Sequence, residues 1–243
     1  MSHPSNAPSP PRVAVVVQSR MGSSRYPGKM MADLAGRPLI DHILERAQAV
    51  RSAGSVMLAT TDHPRDDVLA ARALALGVAV VRGPEDDVMQ RFLLALEQHP
   101  AEYVARVCGD SPLFEPAFLD RCAAALIAAD GDVALLRGRP ASALQGAEVV
   151  SARALRRSHE LAPDDPLVRE HVTAFALRHA GEHFRVVELE PDPAYLGDFD
   201  LSVDTPADLE RLRAIYACCY RPGSIVDLRE VVAEIGAGRL PAR

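Results

Sequence analysis

Three polar stretches carry residue types that can do chemistry together. The first, QSRMGSSRYPGK at 18–29, sets Gly22, Ser23 and Ser24 among Arg20, Arg25 and Lys29. Small residues let backbone N–H groups approach an anion closely, while arginine forks and the lysine point charge add donors. The combination fits a polyphosphate, and its length and place after the first apolar run favour a working loop. The same composition also suits a solvated surface loop. It is neither GxGxxG nor GxxxxGK followed by Ser or Thr, so the dinucleotide and P-loop fingerprints both fail. The other two stretches are CGDSP, with Asp110, and SVDTP, with Asp204. Two carboxylates beside a polyphosphate would hold Mg²⁺ through hard oxygen ligands. Each aspartate also precedes a proline turn, where it would serve equally as a helix cap. For Asp204 the capping reading is the stronger one, because Thr205 and Asp208 already bring helix-start chemistry to VDTPADLE.

Positioning these residues requires a framework in which they converge. RVAVVVQ (12–18) reads as a buried strand, and Leu39, Ile40, Ile43, Leu44, Ala47 and Val50 fall at helical spacing. SVMLATT (55–61) follows as a strand, 66–76 as a helix, 78–81 as a strand and 86–99 as a helix with acidic residues at its start. EYVARVC (102–108) is a fourth strand ending at GDSP, followed by a helix over 116–128 and the strand DVALL. Strands alternating with helices imply an α/β fold: a mostly parallel sheet covered on both faces. In such sheets ligands bind beyond the carboxyl ends of the strands. The opening loop, ATTDH, CGDSP and SVDTP all fall there.

The pattern loosens near 137–195. A loop (137–146), a short strand (148–151), helices over 151–161 and 166–180, and an alternating strand HFRVVELE (183–190) of the antiparallel kind are expected, giving a small antiparallel subregion. A short strand DLSVD (200–204), the helix PADLERLRAIYACC and a last helix over 224–235 complete the chain. No repeat or linker divides it, so residues 12–243 read as one domain with 137–195 as an inserted or appended part.

Composition narrows the partners. With 243 residues and a net charge of −6 on scattered charges, the chain has no basic stripe to grip a nucleic-acid backbone. The four cysteines (Cys108, Cys122, Cys218, Cys219) show neither CxxC nor zinc spacing and read as reduced thiols. Residues 1–11, rich in proline and serine, read as a disordered tail, and VAVVV is too short to span a bilayer. A cytoplasmic protein is expected, with no membrane partner.

Taken in order, QSRMGSSRYPGKMMADLAGRPLIDHILERA, ATTDHPRDDVLA, VRGPEDDVMQRF, ARVCGDSPLFEP, REHVT and LSVDTPADLE resemble the cytidylyltransferase family of bacterial surface-polysaccharide synthesis. The nearest branch is the spore-coat polysaccharide type, with the acylneuraminate and KDO cytidylyltransferases as relatives. The resemblance covers roughly 12–217. It implies a GT-A-like nucleotidyltransferase fold, Mg²⁺ as cofactor, and transfer of CMP from CTP to a sugar acid or similar small anionic acceptor with pyrophosphate release. By position it implies that Gln18 and Arg20 lie near base and ribose, that Gly22, Ser23, Ser24, Arg25 and Lys29 surround the triphosphate, and that Asp110 and Asp204 hold the metal. Asp62, Arg82, Asp87 and Arg106 would line the nucleotide cleft. Arg25, Lys29 and Asp110 would be catalytic. Glu170 and His171 in REHVT are acceptor-side candidates, although a lone helical histidine is more often structural. Related synthetases pair through the part corresponding to 137–195, which implies a homodimer.

Two departures stand out. Tyr26 replaces the family's usual leucine, and RGRPASALQGAEVV is shorter and less polar than the spore-coat acceptor segment. Two other readings are a glycosyltransferase of the same fold and a non-catalytic nucleotide-binding homologue. The glycosyltransferase would normally present a DxD at a strand end, where CGDSP offers one aspartate; DFD (198–200) lies before the late strand.

Overall fold

The apolar run behind the basic loop forms the centre of the sheet. It is strand β1 (Val13–Gln18), whose residues Val13 to Val17 are all buried. Val13, Val15 and Val17 enter one hydrophobic core while Ala14 and Val16 enter a second on the opposite face. A strand covered on both sides cannot alternate with polar residues, which is why this segment reads as unbroken valine and alanine. Each fully buried valine contributes about 1.5–3 kcal/mol of transfer free energy.

The computed structural model describes residues 12–242, so the expected tail at 1–11 lies outside the described residues. After β1 come the hairpin strands β2 (Asp33–Leu34) and β3 (Arg37–Pro38), helix α1 (Leu39–Gln48), β4 (Ser55–Thr61), α2 (Asp67–Ala75), β5 (Ala79–Gly83), α3 (Val88–Gln98) and β6 (Tyr103–Cys108). Then follow α4 (Pro116–Ala129), β7 (Val133–Leu136), β8 (Ala147–Ser151), α5 (Ala152–Leu161), α6 (Pro166–Glu170), α7 (Ala174–Arg178), β9 (Val186–Leu189), α8 (Pro206–Cys219) and α9 (Leu228–Gly236).

The main sheet has seven strands in the order β5-β4-β1-β6-β8-β7-β9. β5, β4, β1 and β6 run parallel, with Val16 beside Met57 on one flank and Arg106 on the other. Only β8 is reversed within this sheet, antiparallel to both β6 and β7. Helices α1, α2, α4, α8 and α9 cover one face, and α3, α5, α6 and α7 the other. The buried Arg46 of α1 ties the first face together. Its guanidinium donates to the carbonyls of Phe114 at 2.5 Å and Val226 at 2.6 Å, and lies 3.7 Å from Glu115.

Several expectations need correction. Strand β9 pairs parallel with β7 rather than antiparallel. Alternating burial along its sequence reports a half-covered strand but not the direction of its neighbour. The helix expected over 166–180 is two short helices. Between them Val172 is fully buried, the Ala174 N–H turns back to the His171 carbonyl at 2.6 Å, and the Thr173 hydroxyl bonds Glu148 of β8 at 3.2 Å. DLSVD forms no ladder. It runs alongside the 109–111 turn through one backbone bond, Val203 N–H to the Asp110 carbonyl at 2.8 Å. Among the described residues, antiparallel pairing is made by β8, by the β2–β3 hairpin at 33–38, which was not anticipated, and by an isolated bridge between Ser142 and Leu196. The 137–195 segment supplies β8 and β9 to the main sheet.

Candidate active site

The polar stretches converge at the carboxyl ends of β1 and β6. Gln18 closes β1, and the Gly109 N–H donates to its carbonyl at 2.9 Å. A Cβ on Gly109 would meet Ser19 Oγ at 2.6 Å and the Gln18 carbonyl oxygen at 2.7 Å, so glycine is required for this approach. Asp66, fully buried, anchors the loop from below. Its Oδ1 accepts from Met21 N–H at 2.8 Å, and its Oδ2 accepts from Thr60 Oγ1 at 3.1 Å, Thr61 N–H at 3.2 Å and Thr61 Oγ1 at 2.5 Å. Burial pushes this carboxyl's pKa up, but the four donors outweigh it and hold it below the ordinary carboxylate value. Gly28, at φ 75°, makes the left-handed turn that starts a single 3-10 turn, Lys29–Met31.

That turn sends Lys29 inward. Its ammonium donates to the Val203 carbonyl at 2.6 Å and reaches Asp110 Oδ2 at 3.3 Å and Asp204 Oδ1 at 3.2 Å. Three acceptors match the three N–H bonds of an ammonium. Arg25, whose side chain is 64% exposed, adds a 2.8 Å ion pair to the same Asp204 oxygen. The cap of α8 is made without Asp204: Thr205 and Asp208 form a capping box, and the Asp204 backbone N–H also donates to Asp208 at 3.0 Å. The Asp204 carboxylate is thereby left to the cluster.

Around this junction lies a cleft of about 620 Å³, lined by Gln18 to Arg20, Ser23 to Arg25, Lys29, Glu85, Asp86, Arg91, Arg106, Asp110 and Asp204 among others. This falls within the usual range for a small-molecule site, about 300–1,000 Å³. Arg20 pairs with Glu85 at 3.2 Å, and Arg65 contacts the same carboxylate. Arg91, buried, shapes that wall by donating to the carbonyls of Pro84 at 2.5 Å and Glu85 at 3.1 Å. On β6, Arg106 donates to Gln18 Oε1 at 2.9 Å and Glu148 at 2.8 Å. With Oε1 so engaged, the Gln18 amide presents its NH₂ as donor. Cys108 also lines the cleft, but burial pushes its thiol up to about 12, which disfavours a thiolate nucleophile at neutral pH. The far rim is Pro166, Arg169, Glu170 and His171. Arg169 reaches across to Asp87 at 3.6 Å.

The structure thus brings Gln18, Arg20, Ser23, Ser24, Arg25, Lys29, Arg106, Asp110, Asp204, Glu170 and His171 to one cleft. Three other predicted residues stand elsewhere. Asp62 is exposed outside the lining, and Arg82 is spent on the carbonyls of Thr61 and His63 and on Asp67. Gly22 faces the Arg65 guanidinium, which a Cβ would meet at 2.5 Å. Asp87 caps α3 by accepting from Gln90 N–H at 2.8 Å and borders the cleft through Arg169. Sequence reasoning missed Asp66, Glu85, Arg91 and Arg169. All four lie inside the quoted motifs, but the partners they meet are set by the fold and leave no spacing signature. It also missed Ser19, whose buried hydroxyl has no hydrogen-bond partner among the described residues.

The donor set at Asp110 and Asp204 fits a hard divalent cation. One ammonium reaches both carboxylates, their side chains keep about a third of their surface exposed at 33% and 30%, and all the atoms offered are oxygens. Outside the cleft lining, His179, Glu182 and His183 also stand within 4.8 Å of one another on a turn, with His179 Nδ1 3.0 Å from Glu182. Among the described residues no helix is long and apolar enough to cross a membrane.

The chain is 35% identical over 240 residues to a 3-deoxy-manno-octulosonate cytidylyltransferase of Anaeromyxobacter dehalogenans, covering 84% of this chain and 98% of that one. It is 29% identical over 209 residues to the spore coat polysaccharide biosynthesis protein SpsF of Bacillus subtilis, covering 84% and 86%. A solved cytidylyltransferase from Leptospira borgpetersenii shares the fold with a TM-score of 0.83 at 24% identity, covering 93% and 94%. The cytidylyltransferase family model matches residues 14–220, and the chain belongs to the cytidylyltransferase family, a family of nucleotidyltransferases.

Proposed function

We propose that the cleft binds CTP together with Mg²⁺ and transfers CMP to a small anionic acceptor of the sugar-acid class, releasing pyrophosphate, in surface-glycan or related biosynthesis. The observation that carries this reading is the Lys29 junction, which joins the basic loop to Asp110 and Asp204, residues 81 and 175 positions away in the chain. The names of the relatives point to the same chemistry.

An acceptor oxygen attacks the α-phosphorus in line, the new P–O bond forms, and the bond to the pyrophosphate oxygen breaks. The chain's task is alignment and charge neutralisation. The backbone N–H of Ser24, with Arg25 and Lys29, would hold the triphosphate and offset charge growing on the leaving group, while Arg20 lies towards the base and ribose. Gln18, oriented by Arg106, presents its amide at the base end. Asp110 and Asp204 would hold the cation, which when bound polarises the α-phosphate. Glu170 and His171 on the far rim, with Arg169 beside them, would face the acceptor. An anomeric hydroxyl would lose its proton to a base or to solvent, whereas a phosphate or phosphonate acceptor has none to lose.

DFD at 198–200 is not among the cleft-lining residues, which weighs against a glycosyltransferase. We further propose a cytoplasmic homodimer, paired through 137–195. The test is pyrophosphate release with each of the four NTPs, Mg²⁺, and a panel of sugar acids, sugar phosphates and phosphonates. Release with CTP and a sugar acid is expected. Release of a nucleoside diphosphate from a nucleotide-sugar, with no reaction of any NTP, would overturn it.

A further inference from the structure

We infer that Lys29 is the standing counter-ion of the Asp110–Asp204 pair, so that the divalent cation gains the site only in company with the nucleotide's polyphosphate. This rests on the reading of that pair as the metal site and adds an order of binding to it.

Charge balance carries the argument. Arg25 and Lys29 offset the two carboxylates, all four groups being joined by contacts of 2.8–3.3 Å. A divalent cation arriving alone would leave the cluster with a net double positive charge in a partly dehydrated cleft, which is unfavourable. A cation arriving with a triphosphate brings its own excess of negative charge. The displaced ammonium and guanidinium then find phosphate oxygens in place of the carboxylates.

Geometry shows how Lys29 can yield without leaving. Its shortest bond, 2.6 Å, goes to the Val203 carbonyl and not to either carboxylate. Val203 is itself pinned, with its N–H on the Asp110 carbonyl at 2.8 Å and its side chain fully buried. The ammonium can therefore pivot on Val203 while its two carboxylate bonds exchange for phosphate. The lysine stem is buried and its Cα is fixed by the turn at Gly28, which confines the head group to this position.

The test is calorimetric titration of Mg²⁺ into the full chain without nucleotide. Wild type should bind weakly. Lys29→Met, which keeps the buried stem and removes the charge, should bind roughly ten- to a hundredfold more tightly. Adding Asp204→Asn should abolish that gain. Arg25→Met, at an exposed position that does not threaten folding, should give a smaller gain of about threefold. Equal Mg²⁺ affinity in wild type, Lys29→Met and Arg25→Met would overturn the inference, as would tight Mg²⁺ binding by wild type alone. A parallel titration of CTP with and without Mg²⁺ separates the two levels. If Mg²⁺ strengthens CTP binding in wild type but not in Asp110→Asn/Asp204→Asn, the metal reading stands whatever Lys29 does. If it strengthens both equally, the metal reading falls and the inference with it. The imidazoles at 179 and 183 do not confuse the readout, because Mg²⁺ prefers oxygen ligands.

Discussion

Replacing Asp66 by asparagine should disable the loop from beneath without touching the cleft. The two carboxylate oxygens divide their work. Oδ2 takes Thr60 and Thr61, and Oδ1 takes the Met21 N–H at 2.8 Å. An asparagine that keeps its carbonyl oxygen towards the threonines turns an NH₂ on the Met21 N–H, donor against donor. One partly buried amide loses its partner and a charge-assisted bond is lost, a cost of about 1–3 kcal/mol. Asp66→Ala abandons all four donors and should cost about 3–5 kcal/mol. Urea unfolding measures both, as a fall in midpoint at unchanged m-value. The damage in Asp66→Asn centres on Met21, so CTP affinity should also fall, by about tenfold. The pH dependence has a definite sign. The folded-state pKa of Asp66 is held below its ordinary value of 3.8. Its stabilisation is therefore complete above the unfolded-state value and is lost as pH falls through the folded one. The gap between wild type and Asp66→Asn should be widest at neutral pH and close below about pH 4. Stability within about 0.5 kcal/mol of wild type at neutral pH, with unchanged CTP affinity, would refute the reasoning.

Other perturbations separate framework from chemistry. Arg46→Met should cost about 2–4 kcal/mol in urea unfolding, because it strands the carbonyls of Phe114 and Val226 and the carboxylate of Glu115. Arg106→Lys keeps the charge but cannot hold Gln18 and Glu148 in one fork, so KM for the nucleotide should rise by about tenfold with little change in Tm. Alkylation by iodoacetamide near neutral pH, followed by peptide mass mapping, should label the exposed Cys218 well before Cys108, whose thiol burial holds near 12. Asp110→Asn and Asp204→Asn should each lower turnover by about a hundredfold or more while circular dichroism stays native.

Much of this was legible because local and tertiary demands coincide. β1 reads as a continuous apolar run since both its faces are buried. Helix α8 begins where the sequence placed it, since Thr205, Pro206 and Asp208 are themselves the cap. The order of the loop, CGDSP and SVDTP along an α/β chain pointed to a shared cleft, and those residues do meet. What was not legible depends on partners distant in sequence. Asp62 and Asp66 both sit in TTDHPRD, and only the fold shows that Asp66 turns inward onto Thr60, Thr61 and Met21 while Asp62 is exposed. The break at His171 to Thr173 comes from a bond to Glu148 on another strand, which no helical periodicity reports. Arg82 and Arg106 both lie on strands, yet one is absorbed by neighbouring carbonyls and Asp67, and the other faces the cleft.

The central claim is that the loop and the two carboxylates form one nucleotide–metal site. Calorimetric titration of CTP in the presence of Mg²⁺ tests it most directly, on wild type and on Asp110→Asn/Asp204→Asn. The account predicts saturable binding by wild type that Mg²⁺ strengthens, and a double variant in which that Mg²⁺ dependence is gone. Failure of wild type to bind CTP or any other NTP with Mg²⁺ present would contradict it.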